Sequence, residues 1–273
     1  LVLFIVEESR KNVKYLGWAT CLRHTPCTTP LFSAMLYDKK NVKGRCFVDV
    51  RDVLRRVQIG TQHALDIAFP PCCAGCKRSG AILCAGCFAA MQPQTPLPCR
   101  QGWQALRGLF AVNVYRGPLR ACIHALKYEG VTRLAEPLGS LLAHSYTQYG
   151  IQADALVPVP LHSERYKLRG YNHAYLLANV CATTLGVPLC ADVLIRSRAT
   201  NAQVGLNAYE RQQNVVGAFS CMASPTTASV YGRTIVIVDD VCTTGATLDA
   251  CAATLLQAGA GAVWGLVLAG SPL

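Results

Sequence analysis

No apolar run in this chain of 273 residues approaches the ~20 residues that a membrane-spanning helix needs. The opening stretch Leu1 to Val6 is too short for a secretory signal and has no basic flank before it. Without a span or a signal, a cytoplasmic protein is expected. Acidic residues are also scarce, with 15 Asp and Glu against 26 Lys and Arg and a formal charge of +11. The excess is uneven: residues 1 to 62 hold 11 cations and 5 acids, which leaves 15 and 10 for the remainder. Because that larger part is only mildly basic, charge gives weak support for nucleic-acid contact. Cysteine, by contrast, is abundant. Fifteen cysteines is a high and odd count, and in a cytoplasmic chain it favours metal binding and buried thiols over disulfides. The length accommodates one sizeable α/β core and a small additional module.

The most informative stretch is residues 234 to 249. A β-branched run, Ile235 to Val238, leads into two adjacent carboxylates, Asp239 and Asp240, and then into the turn Thr243, Thr244, Gly245, Ala246, Thr247. Leu248, Cys251, Ala252, Leu255 and Leu256 follow at i, i+3, i+4, i+7 and i+8, the spacing of one helix face. Gly259 is placed to close that helix. Strand, turn and helix in this order make an anion cradle, since a helix N-terminus offers unpaired N–H groups and the positive end of its dipole. The threonines add hydroxyl donors, and Gly245 allows close approach of the backbone. Two carboxylates would repel a phosphate, so they are expected to face ribose hydroxyls, which they accept well. The alternative is an ordinary capped turn with two solvated acids.

The second signal is a pair of Cys-x-x-Cys knuckles, Cys73 with Cys76 and Cys84 with Cys87, after the run Phe69, Pro70, Pro71, Cys72. Four thiolates at this spacing close a tetrahedral Zn²⁺ site, and no ligand position is left open for catalysis. Cys72 is an alternative to Cys73 as the first ligand. A redox reading of either knuckle lacks a surrounding thioredoxin-like βαβ unit.

Three further segments lie between knuckles and cradle. Leu119, Cys122, Ile123 and Leu126 form a helical stripe with Pro118 in its first turn, which places Lys127 at the helix end. Next, the extended run Ala155 to Leu161, with Pro158 and Pro160, suits a strand end. Arg165, Lys167 and Arg169 follow as a basic loop, then Gly170, Tyr171, Asn172, His173 and a helix through Leu176, Leu177, Val180 and Cys181. Cations just beyond a strand end suit a pyrophosphate, and ligands of open α/β sheets gather at the strands' carboxyl ends. The bland account of the same residues is a core helix and a solvated loop. The third segment, Arg196 to Leu206 with Arg211 and Asn214, is polar and aperiodic; a mobile lid is one reading, and composition favours an exposed connector.

The Asp239 to Thr247 segment resembles the signature of type I phosphoribosyltransferases, which bind 5-phosphoribosyl-1-diphosphate (PRPP). That resemblance implies that Asp239 and Asp240 hold the ribose hydroxyls and Thr243, Thr244, Gly245, Ala246 and Thr247 the 5′-phosphate. Enzymes salvaging 6-oxopurines usually carry an acid where this chain has Thr243, so that substrate class is not expected. Together with Leu126 to Tyr128, Val157 to Pro160, Arg165 to Asn172, Arg198, Gln203, Leu206, Arg211 and Asn214, the pattern over about residues 64 to 270 resembles the ComF/GntX family. What the resemblance implies is an α/β fold, a mostly parallel phosphoribosyltransferase-like sheet flanked by helices and preceded by a zinc module. It places Lys127, Arg165 and Arg169 in the site, with Mg²⁺ accompanying PRPP. Many members carry a second cysteine pair, of which only Cys99 remains.

The family is associated with natural transformation, which implies a role in handling single-stranded DNA together with a helicase-like partner. An active transferase in nucleotide metabolism is the alternative. The expected organisation is an unassigned stretch over 1–62, a zinc-binding module over 63–100 and a phosphoribosyltransferase-like domain over 101–273. Residues 1–62 show no clean periodicity and open on Leu1, so they are expected to be a disordered tail or an over-extended start.

Overall fold

The computed structural model describes residues 70–92, 97–98, 103–198, 215, 217–222 and 230–270, together with three strands nearer the N-terminus. Phe69, Cys99, Gln203, Leu206, Arg211 and Asn214 lie outside the described residues. The chain divides into two compact units, Leu1–Pro70 and Pro71–Leu273. In the first, β1 (Val2–Glu7), β2 (Lys14–Ala19) and β3 (Ala34–Leu36) pair antiparallel in that order.

The second unit is built on a five-stranded sheet. Its strands are β4 (Leu97–Pro98), β5 (Gly108–Val114), β6 (Ala155–Pro158), β9 (Thr234–Cys242) and β10 (Ala262–Gly270), in the order β4-β5-β10-β9-β6. All neighbours run parallel except the short edge strand β4. A separate antiparallel pair is formed by β7 (Leu194–Arg196) and β8 (Phe219–Cys221). The helices are α1 (Ala85–Met91), α2 (Gly117–Tyr128), α3 (Ala135–Gln148), α4 (Ser163–Arg169), α5 (His173–Leu185) and α6 (Ala246–Gln257). No helix among the described residues is long and apolar enough to cross a membrane.

Strand alternation divides the core into two apolar layers. Val236 and Val238 of β9 belong to the layer with Leu126 of α2, Leu142 of α3 and Leu177 of α5. Ile235 and Ile237 belong to the other, with Leu248 and Leu255 of α6 and Phe219 of β8. Parallel strands covered on both faces are continuous apolar runs, which is why Ile235 to Val238 shows no polar alternation. The helical stripe over 119–126 is buried as its spacing predicts. On α6 the stripe stops one residue short, because Leu256 is exposed, and Gly259 follows the helix with φ +94°.

The cysteine module is not set apart from this core. Ala74 and Met91 sit in the same apolar layer as Leu119, Cys122 and Ile123. A side chain on Gly75 would meet Cys87 Sγ at 2.8 Å and Pro118 at 3.1 Å, so the first knuckle rests directly on the start of α2.

Candidate functional site: two carboxylates and a glycine turn beside the end of β6

β9 carries its two carboxylates just past the end of β6, while its own pairing with β10 continues to Cys242. Pro158, the last residue of β6, pairs with Val238, one residue before Asp239. From there the alternation of side chains separates the acids: Asp240 keeps the parity of Val236 and Val238, and Asp239 that of Ile235 and Ile237. Despite that opposite parity, both carboxylates come within 4 Å of His173 Nε2.

Asp240 is buried and forms an ion pair of 2.5 Å with the ammonium of Lys127, at the end of α2. Its Oδ1 accepts the Val241 N–H at 2.8 Å and lies 3.6 Å from His173 Nε2. Burial works against the Asp240 charge, but the Lys127 ammonium outweighs it and holds the carboxyl well below the usual range. Burial likewise works against the Lys127 ammonium, and the two carboxylates together raise it. Asp239 is more open and accepts the Asp240 N–H at 2.9 Å. Burial, reinforced by the charge of Asp240, pushes its carboxyl up to about 8.

Behind this pair stands His173, the first residue of α5. Arg169 Nη1 donates to His173 Nδ1 at 2.7 Å. A guanidinium only donates, so Nδ1 accepts and Nε2 bears the hydrogen that faces the acids, 3.6 Å from Asp240 and 3.9 Å from Asp239. His173, Asp239 and Asp240 lie close enough together to suggest a cation site. They do not fit a resident metal, because Nε2 carries a proton and the Lys127 ammonium already neutralises Asp240.

The basic segment differs from its expected form. Arg165, Lys167 and Arg169 lie on helix α4 instead of a loop, with His162 capping the amide of Glu164. At i and i+4, Arg165 and Arg169 share one face and are half-buried, whereas Lys167 is exposed. Arg169 also lies over the Tyr128 ring at 5.2 Å, and Tyr171 OH donates to the Leu126 carbonyl. These contacts bring Lys127, Arg169 and His173 to one place. Asn172 fixes the corner, accepting the Ala174 N–H at 3.0 Å and donating to the Val159 carbonyl at 3.0 Å.

The turn ends in Gly245 at φ +81°, the N-cap of α6, so Ala246 and Thr247 form the first positions of that helix. Thr244 Oγ1 accepts the Ala246 N–H at 3.4 Å. Three residues near the cradle were not among the expected ones. His173 was legible only as part of the Gly170 to His173 run. Asp249 looked like an ordinary first-turn acid, and Trp103, 141 residues before Thr244, carries no local signal.

The four cysteines of the knuckles converge, with all sulfurs within 4.8 Å of one another. Of the two alternatives for the first position, Cys73 is buried and belongs to this cluster, whereas Cys72 is exposed and does not. Cys76 Sγ and Cys84 Sγ are 3.7 Å apart, close to the roughly 3.8 Å edge of a sulfur tetrahedron around Zn²⁺ with Zn–S about 2.3 Å. Burial opposes the Cys73 thiolate, but the amides of Cys84, Cys76 and Gly75 more than offset it and bring the thiol down to about 6. A set of four sulfurs, one of them already stabilised as thiolate, fits a metal ion.

Sheet, cradle and flanking cations define a phosphoribosyltransferase domain, and the phosphoribosyl transferase domain family matches residues 171–269. The chain is 34% identical over 225 residues to the DNA utilization protein YhgH of Salmonella typhimurium, covering 81% of this chain and 87% of that one. Its Escherichia coli K12 counterpart is 35% identical over 202 residues, 70% of this chain and 85% of the relative. Competence protein F of Haemophilus influenzae is 30% identical over 216 residues, 75% of this chain and 93% of the relative. The chain belongs to the family of YhgH and Competence protein F, the ComF family.

Proposed function

We propose that the cradle binds the phosphoribosyl group of PRPP or of a nucleotide, and that the protein acts in the uptake and use of single-stranded DNA. The observation that carries the binding reading is the convergence of two strand-end carboxylates, a helix N-terminus with a hydroxyl-rich turn, and Lys127 in one place. Asp239, with the more open carboxylate, and Asp240 accept the ribose hydroxyls. Thr243, Thr244, Gly245, Ala246 and Thr247 surround the 5′-phosphate. Lys127, Arg165 and Arg169 face the pyrophosphate, whose charge Mg²⁺ would share. Zn²⁺ fills the Cys73, Cys76, Cys84, Cys87 site and has a structural role.

The DNA reading is supported by the relatives, whose names attach them to DNA utilization and competence. We place the protein in the cytoplasm, where a helicase-like partner would deliver the strand. The division into a module over 63–100 and a transferase-like domain over 101–273 belongs to the same proposal. Chromosomal Asp239→Asn/Asp240→Asn replacement tests it. Loss of growth on DNA, or of transformation, with normal nucleotide prototrophy is expected. Nucleotide auxotrophy with DNA use intact would instead identify a metabolic transferase.

A further inference from the structure

Trp103 is a half-buried residue just before β5, packed against the apolar layer of Leu248 and against the start of α6. Its Nε1–H donates to the Thr244 carbonyl at 3.2 Å. Its ring covers Gly245, where any Cβ would run into the indole. Three amides next to it are held by one side chain. Asp249 Oδ1 accepts the N–H groups of Ala105 at 2.8 Å and Leu106 at 3.0 Å, and Oδ2 that of Gln104 at 3.2 Å. A first-turn acid would ordinarily serve the amides of its own helix. Here that carboxylate is turned outward and fastens residues 104–106 beside the turn instead.

The consequence follows from the peptide unit. The Thr244–Gly245 bond is trans, and in a trans peptide the carbonyl and the N–H point in opposite directions. Holding the Thr244 carbonyl toward the indole therefore turns the Gly245 N–H away from it. That amide is then aimed at the side of the turn opposite Trp103. Gly245 at φ +81° is a conformation that costs glycine little and other residues more. The turn thus has the freedom to rotate this peptide, and the indole removes it.

We propose that Trp103, fastened by Asp249, is a positioning residue for phosphoryl recognition. It locks the Thr244–Gly245 peptide so that the Gly245 N–H is preset toward the 5′-phosphate. This rests on the phosphoribosyl reading of the cradle and adds to it the device that orients one of its donors.

The test uses the full chain with Trp103→Phe, and a second version carrying benzothienylalanine at 103, which keeps the indole shape without the N–H. Mg²⁺-PRPP is titrated by calorimetry, and the ¹⁵N-resolved Gly245 amide is followed by NMR as ligand is added. Wild type is expected to bind and to shift the Gly245 amide downfield. Both variants are expected to keep the wild-type melting temperature within a few degrees, to bind about 3- to 10-fold more weakly, as for one lost neutral hydrogen bond, and to lose most of that shift. Unchanged affinity with an unchanged Gly245 shift in the benzothienylalanine protein would overturn the assignment of Trp103 while leaving the cradle standing. Absence of any PRPP binding by wild type would overturn the cradle reading, and this proposal with it.

Discussion

Replacing Lys127 with Met removes one half of a buried ion pair and retains most of the side-chain volume. Asp240, at 2% exposure, would keep, among the described residues, the Val241 amide and the His173 N–H as neighbours. Breaking a buried pair by removing one partner costs about 3–5 kcal/mol. The Lys127 side chain is itself 21% exposed, so water moderates the loss and about 3 kcal/mol is expected. For a unit of some 200 residues, 1 kcal/mol shifts the melting temperature by roughly 2–4 °C, so a fall of about 6–12 °C is predicted.

The pH dependence has a definite sign. The depressed Asp240 carboxyl contributes stability that is present above its unfolded value of 3.8 and lost as pH falls through the folded one. The raised Lys127 ammonium contributes stability that is present below 10.5 and lost as pH rises through its folded value. The deficit of Lys127→Met should therefore be largest between pH 6 and 9 and narrow in acid, where Asp240 protonates in the variant first. Urea unfolding followed by circular dichroism, repeated across that range, measures it. In a double-mutant cycle, Asp240→Asn should recover about 2 kcal/mol of the loss. A deficit below about 1 kcal/mol, or one flat from pH 4 to 9, would refute the ion-pair reasoning.

Asp239 carries the opposite linkage. Its folded carboxyl keeps a proton up to about 8 that the unfolded chain releases near 3.8, so its contribution to stability falls as pH rises across that window. Asp239→Asn is expected to stabilise the ligand-free protein at pH 8.5 by at least ~1 kcal/mol and to have little effect at pH 3, as urea midpoints at both values will show. Stripping metal with a chelator should lower the melting temperature of the whole second unit in a single calorimetric transition, because Ala74 and Met91 share its core. A separate low-temperature transition would mean that the module folds alone. Gly139 packs against α5, where a Cβ would meet Val180 Cβ at 2.6 Å, so Gly139→Ala should cost about 1–3 kcal/mol by overpacking, read from the same urea curves.

What the sequence made legible was local. The β9 to α6 segment announces itself because strand, acid pair, turn and helix are contiguous, and the knuckles because four sulfurs lie within 15 residues of one another, from Cys73 to Cys87. The α2 stripe and the strand end at Pro158 were readable for the same reason. What could not be read was contact across sequence distance. The Lys127–Asp240 pair, the His173 hydrogen aimed at the acids, and the Asp249 clasp on residues 104–106 each join elements far apart in the chain. The form of the basic segment was misread because alternating cations at 165, 167 and 169 suggest a loop, whereas the His162 cap and Gly170 at φ +81° delimit a two-turn helix. The convergence of Asp239 and Asp240 on His173, despite their opposite strand parity, becomes visible only once α5 is placed beside β9.

The central claim is that residues 239–247 form a phosphoribosyl site. Calorimetric titration of Mg²⁺-PRPP into wild type and into Asp239→Asn/Asp240→Asn, with single-stranded DNA titrated in parallel, tests it most directly. The account predicts saturable 1:1 binding of PRPP by wild type and none by the double variant, with both proteins folded. DNA binding in the absence of any PRPP binding by wild type would contradict it, and would mean that the fold serves as a nucleic-acid scaffold.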